Sequence, residues 1–176
     1  MITEKTSIEE MGAIVCQALL DNDIDAFLSG GAVVSIYTKN KYESFDLDFV
    51  TFADRKKIKK IMLDLGFTQD VSRLFIHPKS KYFVEFPGSA TMIGDEKITQ
   101  FNERKVKSNI LKLLTPTDCI KDRLAAYIHW NDKQGLEQAV LVAQAQDYSL
   151  KSIEKFCINE GSKKAYLDFI QQLKIK

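Results

Sequence analysis

The 176-residue chain lacks the features that mark several functional classes. Its three cysteines, Cys16, Cys119 and Cys157, are odd in number, far apart and set in apolar helical contexts. They read as reduced packing residues and exclude a disulfide scaffold. No apolar run approaches the roughly 20 residues that a membrane-spanning helix needs. Glu4, Glu9 and Glu10 stand near the N-terminus, where an export signal would be apolar. A cytoplasmic protein without a membrane partner is therefore expected. Charge of one sign is missing too: 25 basic residues against 24 acidic ones leave a net +1, which argues against avid, sequence-independent nucleic-acid binding. Repeats and low-complexity segments are absent. What remains is one domain's length of chain, with 45% hydrophobic residues to build a core.

The segment Ser44-Phe45-Asp46-Leu47-Asp48-Phe49-Val50 alternates apolar and acidic residues, the period of a β-strand. Side chains at i and i+2 share a face, so Asp46 and Asp48 point the same way, their Cα atoms about 6.5 Å apart. Phe45, Leu47 and Phe49 are expected to anchor the opposite face. Two carboxylates at that spacing suit one divalent cation. Oxygen ligands with no His or Cys companion favour Mg²⁺ or Mn²⁺ over zinc. The competing reading is an edge strand with two solvated acids.

Upstream, residues 25–29 read as a short strand that runs into Gly30-Gly31, and residues 32–37 suit a short helix. Strand, glycine turn and helix N-terminus expose amide donors of the kind that receive a phosphate. Ser29 and Ser35 offer hydroxyls nearby. Glu85, between the apolar residues of Tyr82-Phe83-Val84-Glu85-Phe86, is the candidate for a third carboxylate.

Other elements follow from periodicity and caps. Ile8, Met11, Ile14, Val15, Ala18 and Leu19 form a helical stripe, with Ser7 as N-cap and Glu10 as its capping-box partner. Asp54 opens a helix to about residue 65, stopped by Gly66. Residues 67–71, 73–76, 82–86 and 109–113 read as strands. From Pro116 onward the pattern is helical, with Thr115 or Thr117 as cap and further helices at 136–145, 150–157 and 165–173. Asp118 and Lys121 share a helix face, and His129 reads as a structural donor. Two basic clusters, Arg55-Lys56-Lys57 with Lys59-Lys60 and Arg104-Lys105 with Lys107, read first as solvated surface.

Gly30, Gly31, Asp46, Asp48 and Glu85 together resemble the motif of the nucleotidyltransferase superfamily, the fold of DNA polymerase β and kanamycin nucleotidyltransferase. The run Glu43-Ser44-Phe45-Asp46-Leu47-Asp48 is most similar to the branch of type IV abortive-infection toxins. The resemblance covers roughly residues 25–130. Tyr42 stands where those toxins carry Arg, with Lys41 beside it, and the third acid is Glu where Asp is commoner. The resemblance implies an α+β fold: a mixed sheet flanked by helices over residues 1–113, and a C-terminal helical bundle over 114–176. It implies Mg²⁺ or Mn²⁺ held by Asp46, Asp48 and Glu85, and an NTP contacted by Gly30, Gly31, Ser35, Lys41, Ser44, Lys121 and Asp118. It further implies transfer of a nucleoside monophosphate to an acceptor such as tRNA, other RNA, a protein or a small molecule, with an antitoxin as possible partner. A catalytically silent member that binds a nucleotide or protein, and an unrelated interaction module with incidental acids, are the alternatives.

Overall fold

In a computed structural model the described residues are 1–69, 71, 74–88 and 91–175. The chain runs α1 (Ile8–Leu20), β1 (Ala26–Ser29), α2 (Gly30–Tyr37), β2 (Asp46–Thr51), α3 (Arg55–Asp64), β3 (Thr68–Gln69), β4 (Phe75–Ile76) and β5 (Phe83–Glu85). It continues through β6 (Met92–Ile93), β7 (Glu96–Lys97), β8 (Phe101–Val106), β9 (Asn109–Leu114), α4 (Pro116–Trp130), α5 (Lys133–Ala145), α6 (Leu150–Asn159) and α7 (Lys163–Ile175). It divides into two compact units: Met1–Ala32, Glu43–Ala90 and Phe101–Leu113 form the first, and Val33–Tyr42, Thr91–Gln100 and Leu114–Lys176 the second. The second unit thus takes in two segments, 33–42 and 91–100, that lie inside the expected core of residues 1–113.

The first unit is built on a mixed sheet of seven strands in the order β3-β4-β5-β2-β1-β9-β8. β2 lies antiparallel to β1 and parallel to β5, and β1 lies parallel to β9. Leu28, Leu47, Phe49, Val84, Leu111 and Leu113 are fully buried or nearly so, each contributing about 1.5–3 kcal/mol by leaving water. Helix α1 lies close on this apolar face: a Cβ on Gly12 would stand 3.3 Å from Leu111 and 3.4 Å from Leu47. Its capping box is formed as expected, Ser7 with Glu10. Asp54 caps α3, whose Ile58, Ile61 and Met62 are buried.

Several differences are instructive. Phe45 is no anchor; it precedes the strand, is 42% exposed, and stacks on Tyr82. The strands expected at 67–71 and 73–76 shrink to β3 and β4, and their parts at Asp70 and Arg73 lie outside the described residues. β8 escapes sequence reading because four of its six residues are polar. It is a sheet edge, and Arg104 in β8 and Lys107 after it bind Glu9 and Glu10 of α1 at 2.9 and 2.6 Å. Two of the three cations in the second basic cluster therefore fasten the edge strand to α1, and Lys105 stays exposed.

The second unit holds the four C-terminal helices. Thr115 caps α4 with Pro116 in its first turn. Tyr37, Leu124, Val140, Phe156 and Phe169 are buried here, and the Tyr37 hydroxyl donates to the Leu114 carbonyl at 2.6 Å. The β6–β7 hairpin is tied to the helices through Glu160, which accepts from the Asp95 amide at 2.9 Å and lies 2.7 Å from His129 Nε2. Among the described residues no helix is long and apolar enough to cross a membrane.

Candidate active site

The acidic site grows out of strand register. Along β2, Leu47 and Phe49 are buried while Asp46 and Asp48 keep partial exposure, so both acids stand on the face away from α1. The parallel pairing with β5 sets Glu85 directly opposite Asp48, and paired residues share a face. On the other side, the antiparallel pairing sets Ser29 opposite Asp48. The next residue, Gly30, therefore arrives beside the same carboxylate. Gly30 has φ +69°, and a Cβ placed on it would lie 2.5 Å from Asp48 Oδ2. Glycine is required twice over, by backbone conformation and by the approach of the acid.

Helix α2 begins at Gly30, not at residue 32, so both glycines belong to its first turn. The first amides of a helix have no partner within it. Gly30 and Gly31 thus bring backbone donors to the end of β1, at the strand position next to Asp48.

Ser44 is 5% exposed and donates its hydroxyl to Asp46 Oδ1 at 2.6 Å and to the Asp46 carbonyl at 3.2 Å. It orients an acid; the expected nucleotide contact is not available from a hydroxyl spent this way. Ser29 likewise donates to the Asp48 carbonyl at 3.3 Å. Ser35 is buried in α2, at 1% exposure. Lys41 is exposed in the turn after α2.

Lys121 is 7% exposed in the second unit. Its Nζ lies 2.7 Å from Glu96 Oε2 and 3.5 Å from Asp118 Oδ1, and Asp118 also accepts from the Thr115 hydroxyl at 2.9 Å. The expected Asp118–Lys121 pair is present, but it is a partly buried cluster completed by Glu96, and two carboxylates neutralise the ammonium. Glu96 was invisible in the sequence because it sits 25 residues away in a two-residue strand. All three thiols are buried, and burial raises Cys16 and Cys119 above the ordinary thiol range and Cys157 up to about 11, which disfavours the thiolate.

Could Asp46, Asp48 and Glu85 hold a metal? Their oxygens suit Mg²⁺ or Mn²⁺, and their strands bring them to one face in adjacent register. Their side chains are not drawn together: among the described residues no three His, Cys, Asp or Glu side chains converge as a metal cage. The donor chemistry suits a divalent ion, but the side chains of the described residues as placed form no site for one.

No family model matches the chain, and no curated protein is similar to it in sequence. Solved structures are similar in fold. An antigenic nucleotidyltransferase-like protein from Paracoccidioides brasiliensis matches with a TM-score of 0.65 at 12% identity, over 100% of this chain and 96% of that one. The chain has a nucleotidyltransferase-like fold. The solution structure of the antibiotic-resistance factor ANT(2'')-Ia matches at 0.60 with 13% identity, over 97% of this chain and 99% of that one. A crystal structure of ANT(2'')-Ia in complex with adenylyl-2''-tobramycin matches at 0.59 with 11% identity, over 89% and 98%. Identities this low establish the fold alone. Within this nucleotidyltransferase-like fold the α+β class and the mixed sheet expected from sequence are both present.

Proposed function

We propose that the chain transfers a nucleoside monophosphate from an NTP to an acceptor hydroxyl, with Mg²⁺ or Mn²⁺ as cofactor. The observation that supports this most is the alignment of Glu85, Asp48 and Ser29-Gly30 across three adjacent strands, with Asp46 on the same face. Asp46, Asp48 and Glu85 would hold the cation, which when bound neutralises phosphate charge and polarises the phosphorus centre. The amides at Gly30 and Gly31 receive the leaving phosphates. Ser44 holds Asp46 in one rotamer. Glu85 accepts the proton of the attacking hydroxyl as its oxygen bonds to the α-phosphorus and pyrophosphate leaves with the broken anhydride bond.

The acceptor divides along two lines. ANT(2'')-Ia is bound to an adenylylated antibiotic, which favours a small-molecule hydroxyl; the toxin-like run at Glu43 to Asp48 favours RNA and an antitoxin partner. Incubation with each labelled NTP, Mg²⁺, and either total cellular RNA or a panel of small hydroxylic acceptors tests the reading. Label transferred to either acceptor, and lost with EDTA, is the expected result. No transfer to any acceptor overturns it.

A second reading, a silent member that binds nucleotide or a partner, draws on one observation. Lys121, the cation expected to meet the triphosphate, is already neutralised by Glu96 and Asp118. Calorimetric titration with Mn²⁺ and nucleotide distinguishes it: binding without turnover supports the silent reading.

A further inference from the structure

Helix α3 carries Arg55, Lys56, Lys57, Lys59 and Lys60 in its first six residues, all of them exposed. Elsewhere in the first unit four basic side chains meet acids, Lys81 with Glu43, Arg104 with Glu9, Lys107 with Glu10 and Lys112 with Asp25, while Lys5, Lys79 and Lys105 stand singly rather than as a row. Among the described residues no carboxylate forms an ion pair with any of the five on α3. Lys57 instead donates to the Asn22 carbonyl at 2.6 Å.

This arrangement works against the helix itself. Arg55, Lys56 and Lys57 crowd the first turn, where the helix dipole is already positive. Arg55 repels Lys59, and Lys56 repels Lys60, at i,i+4 spacing. Lys56, Lys59 and Lys60 lie on one face, opposite the buried Ile58, Ile61 and Met62. A surface held at such local cost has its charge directed outward, to a polyanion.

Beside the cations lies a cleft of about 180 Å³, lined by Phe52, Ala53, Arg55, Ile58 and Phe86 among others. Phe86 is fixed by Phe49 and Phe75, with ring centroids 6.0 and 5.8 Å away. Phe52 is 75% exposed. Two aromatic walls with a guanidinium at the rim make a slot for a flat ring, and a row of cations leads away from it. An anionic membrane surface satisfies the charge but brings no planar ring, whereas a nucleic acid brings a ring with every phosphate. Phe49 lies on the face of β2 opposite Asp46 and Asp48, while Glu85 lines the pocket that adjoins this cleft at Arg55, Ile58 and Phe86.

We propose that α3 and the Phe52–Phe86 cleft bind single-stranded nucleic acid. One base stacks in the cleft, and backbone phosphates run along Lys56, Lys59 and Lys60. Binding here needs neither NTP nor metal, so it stands or falls apart from the transfer reaction.

Fluorescence anisotropy tests it, with labelled single-stranded RNA and DNA about 12 nucleotides long titrated in EDTA without NTP. Saturable binding is expected to RNA, DNA or both. The logarithm of the binding constant should fall against that of salt with a slope of about −2 to −3, for three to four phosphates at about −0.7 each. Phe52→Ala should weaken binding about tenfold. The double change Lys56→Glu with Lys60→Glu should weaken it further and flatten the salt slope, with neither variant melting below the parent. Asp48→Asn should bind as the parent does. Absence of saturable binding, indifference to Phe52→Ala, or tighter binding to phosphatidylserine vesicles than to either oligonucleotide would overturn the proposal.

Discussion

Two clusters of charge lie in the two units of this chain, and they are built on opposite principles. In the second unit, Lys121 is enclosed by Glu96 and Asp118, so its charge meets counter-charges within the fold. In the first unit, Asp46 accepts only from a neutral hydroxyl, and neither Asp46 nor Glu85 forms an ion pair among the described residues. The first arrangement meets its charge inside the fold; the second sets Asp46, Asp48 and Glu85 on one sheet face in adjacent register. The difference separates a structural ion cluster from a candidate site more sharply than residue type does, since both contain two or three carboxylates.

The comparison can be broken most decisively at Asp48. Asp48→Asn is expected to reduce Mg²⁺-dependent nucleotide incorporation about a hundredfold or more while the thermal midpoint moves by no more than a few degrees. A retained rate removes the acidic face from the chemistry. Lys121→Met should do the reverse. Leaving Glu96 and Asp118 unpaired costs roughly 3 kcal/mol, lowering the midpoint by roughly 6–12 °C, with incorporation per folded molecule unchanged. Loss of nucleotide affinity without loss of stability would move Lys121 from architecture to ligand binding. Ser44→Ala sharpens the picture further. Freeing Asp46 Oδ1 should slow incorporation several-fold and cost about 1 kcal/mol in urea melts; a change in stability alone would make Ser44 structural.

The smallest effect lies in the helices. Asp168 accepts from Tyr127 and pairs with Lys164, and the ammonium first, then the phenol, holds its carboxyl below its ordinary unfolded value. A depressed folded-state value adds stability above that pH, lost as pH falls through the folded value below it. Urea melts should show this acid-side loss, about 1 kcal/mol, and Asp168→Asn should lack it.

Elements that carry their own local signal were legible. The capping box at Ser7 and Glu10, the Asp54 cap, the Thr115-Pro116 start of α4 and the alternation of β2 each arise from interactions within a few residues. β8 and the β6–β7 hairpin were not. Their residues are polar or few, and pairing with distant partners, Glu9 and Glu160 among them, holds them in place. Ser35 shows the same limit in a site residue. Its type and spacing suit a phosphate, but its burial in α2 was not legible.

By itself the sequence determined that two aspartates share one strand face and that Gly30 follows the preceding strand, because side-chain alternation and glycine's backbone freedom are local properties. That Glu85 stands opposite Asp48, that Gly30 abuts the Asp48 carboxylate, and that Glu96 claims Lys121 was decided only by tertiary structure. Strand register and long-range ion pairing are chosen by which apolar faces bury together, and no short stretch of chain contains that choice.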